Sequence, residues 1–169
     1  MQISVLPMEP GFPGMVSDAQ VGKTTATRVS TEASAEMRFG IMVAESATER
    51  GCELINASND VLAGIVVHSH AYAKPEQVGD TGIKPKQPVG VMQIGAIWVL
   101  TEGTAPIKTD HVRVRAVAAG AEVAGAFRVA ADSTDCIDIT AFAHWTGRVG
   151  TNCAEVVIDM TNRALAVAD

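Results

Sequence analysis

The sequence predicts an all-β domain, a β-barrel or jelly-roll-like sandwich, with an extended N-terminal arm in front of it. Short apolar runs recur at roughly ten-residue spacing with Gly, Pro, Asn and Asp between them, which is typical of such folds. One run, residues 88–103, is longer than the others and carries no charge before Glu102. No stretch has helical amphipathicity over three turns. We therefore expect an arm over residues 1–22 and one domain over residues 23–169.

The arm reads MQISVLPMEPGFPGMVSDAQVG, and its three prolines interrupt any periodic structure. It is nevertheless too apolar for a free tail, because it carries Leu6, Met8, Phe12, Met15 and Val16. Such a segment packs on a surface, either on its own barrel or on a neighbouring molecule. Both alternatives stay open at this point, although the prolines argue against a place inside a sheet.

Four segments precede the long apolar run. Residues 23–36 are polar and rich in Thr and Ser, which favours an exposed strand or a loop. Strands are predicted at residues 38–45 (RFGIMVAE), at 52–55 and, strongly apolar, at 61–72 (VLAGIVVHSHAY). Residues 74–86 mix Pro and Gly with charges, so we expect a loop.

The run PVGVMQIGAIWVLTEG, residues 88–103, is predicted to be the central strand. Both of its faces are mainly apolar, so it is either covered on both sides or bends from one packing surface to another. Gly90 and Gly95 are the positions where a bulge or corner adds no Cβ clash. The β-branched residues and the flanking glycines argue against a helix.

Shorter elements complete the chain. Residues 111–117 alternate as a half-exposed strand does, with Arg113 and Arg115 on the outer face. Residues 118–125 are small and interrupted by glycine, which indicates a loop. Further strands are expected at residues 126–130, 137–145 and 154–160, and the tail from Thr161 onwards is a short helix or a frayed end.

The composition argues against several partners. The net charge is −6, and no basic run or aromatic cluster offsets it, so nucleic acid is not expected. No apolar run reaches the roughly 20 residues of a membrane span, so no membrane partner is expected. The cysteines are three, an odd number without CxxC spacing, and the chain starts without a secretory leader pattern, which favours a reducing cytoplasm.

One motif resembles part of a nucleotide site. Gly22-Lys23-Thr24-Thr25 matches the end of a phosphate-binding P-loop, but the first glycine of that motif is replaced by Ser17. No apolar strand leads into it and no helical pattern follows it, so a polar loop is the expected reading.

A second motif points to a metal. His68 and His70 share one face of a strand, and Glu76 could supply a third ligand, as in cupin enzymes. The cupin spacing is not met, since Gly64 is too close, Glu76 comes one residue late and Gln93 stands at the later histidine position. We expect no metal and no other cofactor. About one zinc, iron or manganese per chain in elemental analysis would contradict this.

A nucleophile is not evident either. Cys136 stands near Asp135 and Asp138, and neighbouring carboxylates raise a thiol pKa and suppress the reactive thiolate. The residues therefore favour a binding or structural module, and we expect no enzymatic activity.

The succession of short motifs resembles the phage structural cement proteins, the head-decoration family. The motifs are PGMVSD, RFGIMVAE, LAGIVVHS, VGVMQIGAIWVLTEG and DHVRVRA, and together they span about residues 12 to 160. One departure is Thr109-Asp110-His111-Val112, where family members often have Gly-Asp-Pro-Val.

The resemblance implies a small β-barrel that binds the outer capsid surface of a virion and ties major capsid subunits together. It also implies self-association, with a trimer favoured and a dimer possible, and synthesis in the host bacterial cytoplasm. The candidate capsid or oligomer interface residues are Phe12, Met15, Val16 and Trp145, while Trp98 fits a core position at least as well. The alternatives are a cupin-like metal-binding enzyme and a virion-displayed adhesion or fibre domain.

Overall fold

The structure, a computed structural model, describes residues 10–17, 23–31, 37–69, 83–131 and 135–161. The strands within these residues are β1 (Thr24–Ser30), β2 (Met42–Glu45), β3 (Gly51–Leu54), β4 (Leu62–Val66), β5 (Pro88–Leu100), β6 (Arg113–Arg115), β7 (Phe127–Arg128), β8 (Cys136–Asp138), β9 (Ala143–Gly150) and β10 (Cys153–Asp159). None of the described segments forms a helix with the length and apolarity that a membrane crossing requires.

The strands form two sheets. The larger has the order β1-β3-β2-β4-β5-β10-β9, and β1 also pairs with β5, so that five of its strands close a barrel. The smaller has the order β7-β6-β8, and a parallel bridge between Thr101 and Phe127 joins it to the end of β5. The predicted all-β barrel is thereby confirmed.

Strand β5 is the central strand, as predicted, and it bends from one packing surface to another. Val89 and Val91 point into the interior of the barrel, whereas Ile97 and Val99 join a second core outside it. Odd-numbered residues of β5 thus face the barrel core in the first half of the strand and the outer core in the second half. The change falls around Gly95, whose φ of 136° is a conformation that residues with a side chain rarely adopt.

The two cores differ in size. The barrel core contains Met37, Phe39, Ile41, Val43, Cys52, Ala63, Val66, Ile83, Val89 and Val91. The outer core lies between the other face of these strands, the β9–β10 hairpin and the small sheet, and its largest member is Trp145. Because so few aromatic residues are available, both cores consist mainly of aliphatic side chains.

The predicted strand over residues 137–145 is in fact two strands separated by a turn. Thr140 donates its N–H to Asp138 Oδ1 at 2.9 Å, and its hydroxyl oxygen accepts the N–H of Val112 at 2.9 Å. These local side-chain bonds stop β8 at Asp138, and β9 begins at Ala143. Gly147 and Gly150 lie inside β9, and the hairpin reverses at Asn152, which has a φ of 55°.

Strand β9 ends the order of the large sheet, and its outer edge is irregular. Its ladder with β10 shifts register between Ala154 and Val156, and Gly147 in this region has a φ of 82°. The side chain of Lys108, from the loop after β5, lies against Gly147. This edge is therefore both bulged and partly covered.

A charged cluster holds the small sheet together. Asp138 accepts a hydrogen bond from His111 Nδ1 at 3.0 Å and pairs with Arg113 at 3.3 Å. Burial by itself raises the pKa of Asp138, but hydrogen bonds from the hydroxyl and N–H of Thr140, the bond from His111 and the charge of Arg113 together lower it below 3.8. The ionised carboxylate is thus the form that suits the folded state.

We expect Gly125→Ala to destabilise the fold by about 2 to 4 kcal/mol, because Gly125 has a φ of 85° and a Cβ there would overlap the carbonyl oxygen of Met42. Gly103→Ala is the matched control, since Gly103 has a φ of 74° and open space around it, and it should cost only about 1 kcal/mol. Urea unfolding measures both. Equal losses of stability in the two variants would mean that the close approach to Met42 adds nothing to the cost of Gly125→Ala.

We also expect Asp138→Asn to lower the stability of the fold by an amount that depends on pH. A carboxylate whose pKa is lowered by folding contributes stability above its unfolded pKa of about 4, and the contribution disappears as the pH falls through the lower folded value. The variant should therefore be less stable than the wild type at pH 7 and approach it below about pH 4. Glu49→Gln, at an exposed site, should show no such convergence. A difference independent of pH would contradict the ionic role.

Candidate interaction surfaces

The described part of the arm, residues 10–17, packs on its own barrel. Gly14 donates its N–H to the carbonyl of Trp98 at 2.7 Å, and Trp98 donates its N–H to the carbonyl of Met15 at 2.9 Å. The N–H of Ser17 reaches the carbonyl of Ala96 at 3.0 Å, and Val16 forms an antiparallel bridge with Ile97. The arm therefore extends the large sheet beside β5, although its prolines argued against this. The donors are Gly14 and Ser17, so no proline N–H is needed.

Three of the predicted interface residues lie in this segment. Phe12, Met15 and Val16 are all half-buried against their own chain. The Phe12 ring packs edge-on against His68 with a centroid distance of 4.9 Å, and His68 in turn packs against Phe39 at 4.7 Å. Each of the three keeps some exposed surface, but the described contacts are made within the chain.

The arm packs over the side chain of a tryptophan. Trp98 is completely buried, and a Cβ at Gly11 would overlap its indole ring, so only glycine lets the arm cross it this closely. The guanidinium of Arg148 lies 5.5 Å from the centroid of the same ring. Cys153, also buried, donates its thiol to the carbonyl of Gly11 at 3.4 Å. Trp98 is accordingly a core residue that the arm covers.

The fourth predicted interface residue, Trp145, lies in the outer core and is only 2% exposed. Its indole N–H donates to the carbonyl of His111 at 3.1 Å, and its ring packs against Phe127 with a centroid distance of 6.2 Å. The polar end of the ring is satisfied inside the protein, and the ring belongs to the outer core.

The loop that Trp145 anchors was not among the predicted interface residues. In this loop, Ile107 is 61% exposed, the largest value among the exposed large apolar side chains of the described residues. Ile107 donates its N–H to Asp110 Oδ2 at 2.9 Å, Asp110 returns its N–H to the carbonyl of Ile107, and Pro106 is buried. The aspartate three residues after the isoleucine is the signal that could have indicated a capped, ordered tip.

One charged residue lies where it was not expected. Arg115, predicted on an outer face, is 1% exposed. Its Nε donates to Glu102 Oε1 at 2.6 Å, and its guanidinium also pairs with Glu122. Arg128 joins the same Glu102 at 3.4 Å. These ion pairs connect the end of β5, the small sheet and the loop that follows β6.

The groups considered for catalysis or metal binding are dispersed among the described residues. There, no group of three or more His, Cys, Asp or Glu side chains could hold a metal ion. His68 packs between two phenyl rings, while His70 and Glu76 lie outside the described residues. Burial raises the pKa of the Cys52 thiol to about 11, which makes it unreactive at neutral pH. Lys23 leads into β1, so the P-loop-like motif is followed by a strand instead of a helix.

Comparison with known proteins places these features in one family. The family model for phage structural cement proteins, described as "Structural cement protein (E217 gp24/Pam3 gp6)", matches residues 1–160. A solved chain from the capsid of Myoviridae phage XM1 has the same fold, with a TM-score of 0.70 and 21% sequence identity over 94% of this chain and 97% of that one. A search of curated proteins found no significant match. Since the family model covers nearly the whole sequence, the chain belongs to the phage structural cement protein family.

Proposed function

We propose that this protein binds the outer surface of a phage head and ties neighbouring major capsid subunits together, so that the shell resists internal pressure. The observation that carries the proposal is the family match over residues 1–160. The solved chain of similar fold comes from a phage capsid, which supports the same role. The proposed partner is the major capsid protein, and the action requires no catalytic group.

The physical basis is multivalency. A protein that contacts several subunits at once converts weak individual contacts into slow dissociation, because one contact holds the others close. Simultaneous contact with several subunits is favoured by a rigid protein. The two packed cores, and the hydrogen bond from Ile107 to Asp110 that orders the loop after β5, make the protein rigid. Self-association would multiply the contacts further, and we propose a homo-oligomer, with a trimer favoured, which sedimentation at micromolar concentration would test.

Imaging of heads with and without the protein tests the proposed function. We expect extra density on the outside of the shell, in contact with at least two capsid subunits, and we expect heads that lack the protein to rupture at lower temperature. Density inside the shell, or contact with a single subunit, would contradict the proposal.

The structure suggests a test of whether the arm contributes to attachment to the capsid. Residues 10–17 cover Trp98 and bond with β5, so removing the whole arm would also disturb the fold. A sharper pair of variants removes residues 1–9 or residues 1–17. We expect the shorter deletion to keep the melting temperature and lower retention on heads in a salt wash about tenfold, because it removes the apolar residues Val5 and Leu6.

The longer deletion is the control for folding. It uncovers Trp98, so its melting temperature should fall as well as its retention. Full retention of the shorter variant would mean that residues 1–9 do not bridge to the capsid.

A further inference from the structure

Three exposed basic residues lie together at one end of the barrel. They are Arg50, in the turn between β2 and β3, and Lys84 and Lys86, in the turn that leads into β5, and we call them the basic end. The two turns flank the end of β1, because Val29 donates its N–H to the carbonyl of Arg50 at 2.9 Å and Lys86 donates its N–H to the carbonyl of Ser30 at 2.7 Å. With a strand spacing of about 4.8 Å, the backbones of Arg50 and Lys86 are about 10 Å apart.

The charges of the basic end are not neutralised within the described part of the chain. No carboxylate there pairs with any of its three residues, although Glu49 directly precedes Arg50. By contrast, the three arginines of the small sheet are all engaged by carboxylates. The basic end therefore presents a net positive charge to the outside.

Two of these cations occupy backbone positions that suit glycine better. Arg50 has a φ of 57° and Lys86 a φ of 64°, and among the described residues Asn152 is the one other non-glycine residue with a positive φ. A side chain in this left-handed conformation costs stability that glycine does not lose. A charged residue kept at such a position is typical of a functional site.

Both turns are ordered by hydrogen bonds of their own. The N–H of Lys84 donates to Gln87 Oε1 at 2.9 Å, and the N–H of Gln87 returns to the carbonyl of Lys84 at 3.3 Å. In the other turn, the N–H of Gly51 donates to the carbonyl of Thr48 at 2.8 Å. The three cations thus extend from a fixed backbone, which lowers the entropy that binding a partner would cost.

The rest of the molecule is strongly acidic. The net charge of −6 includes these three cations, so the remainder of the chain carries a net charge of −9. Two whole copies repel each other at long range, but physiological salt screens charges beyond about 8 Å, so the groups in direct contact decide. The basic end of one copy is therefore complementary to the acidic remainder of another. Nucleic acid is the poorer partner, because its phosphates would be repelled by that same acidic remainder.

We propose that the basic end binds an acidic surface of a second copy of this chain, so that copies associate head to tail. The inference rests on the self-association in the proposed function, and it names one of the two surfaces involved. Because the two contacting surfaces differ, such an association closes into a ring when the rotation between copies permits it. A twofold dimer uses identical surfaces, so the smallest ring of this kind has three copies, in agreement with the proposed trimer.

Sedimentation of the purified full chain at micromolar concentration tests the inference. The double variant Arg50→Gly/Lys86→Gly removes two charges and relieves both left-handed positions, so it should keep its melting temperature while its self-association weakens about tenfold. Asn152→Gly is the control for the backbone, since it relieves the same conformation without a change in charge. Arg38→Ala is the control for charge, since it removes an exposed cation beside Leu54, at the other end of β3 from Arg50. Both controls should associate within about twofold of the wild type.

A carbodiimide crosslink gives a second readout, because it joins a lysine amine to a carboxylate in direct contact. In a mixture of unlabelled and ¹⁵N-labelled protein, we expect Lys84 or Lys86 to be joined to a carboxylate of the other copy. Wild-type association of the double variant, or equal weakening by the controls, would overturn the inference. Crosslinks from these lysines only within their own chain, or only to the major capsid protein, would also overturn it. A wild type that stays monomeric would refute the head-to-tail contact, while the imaging of heads tests the capsid role separately.

Discussion

The structure depends on one strand that serves two cores. The side chains of a strand alternate between its two faces. In β5 the face that points into the barrel before Gly95 points into the outer core after it. Its first half pairs with β1 and β4 and closes the barrel, while its second half pairs with β10 and receives the arm. Because the barrel, the hairpin and the arm are each hydrogen-bonded to this strand, they have fixed relative positions.

Much of this architecture could be predicted from the sequence. The long uncharged run with apolar residues on both faces indicated a strand covered on two sides, and glycine was the residue that allowed it to bend. The boundaries of β8 and β9 could not be predicted, because they depend on hydrogen bonds of Asp138 and Thr140. The first of these bonds is local, but the Thr140 hydroxyl also accepts the N–H of Val112, which lies 28 positions earlier and which no local pattern brings close.

The candidate interface residues were harder to predict than the fold. An exposed tryptophan and a buried one look alike in a sequence, and Trp145 proved to be buried in the outer core, with its N–H donated to the carbonyl of His111. The alternation around Arg115 indicated an outer face, but the partner Glu102 comes from a strand end that periodicity cannot bring close. Long-range contacts decide which polar groups are free.

The irregular edge of β9 affects how separate copies of the protein associate with one another. A long flat edge strand offers its backbone groups to an identical edge, and repeated pairing of that kind builds fibres. In β9 the register shift, the conformation of Gly147 and the overlying Lys108 interrupt the row of backbone groups. The edge therefore offers no continuous row of backbone groups to an identical edge, and separate copies can reach high concentration without stacking into fibres.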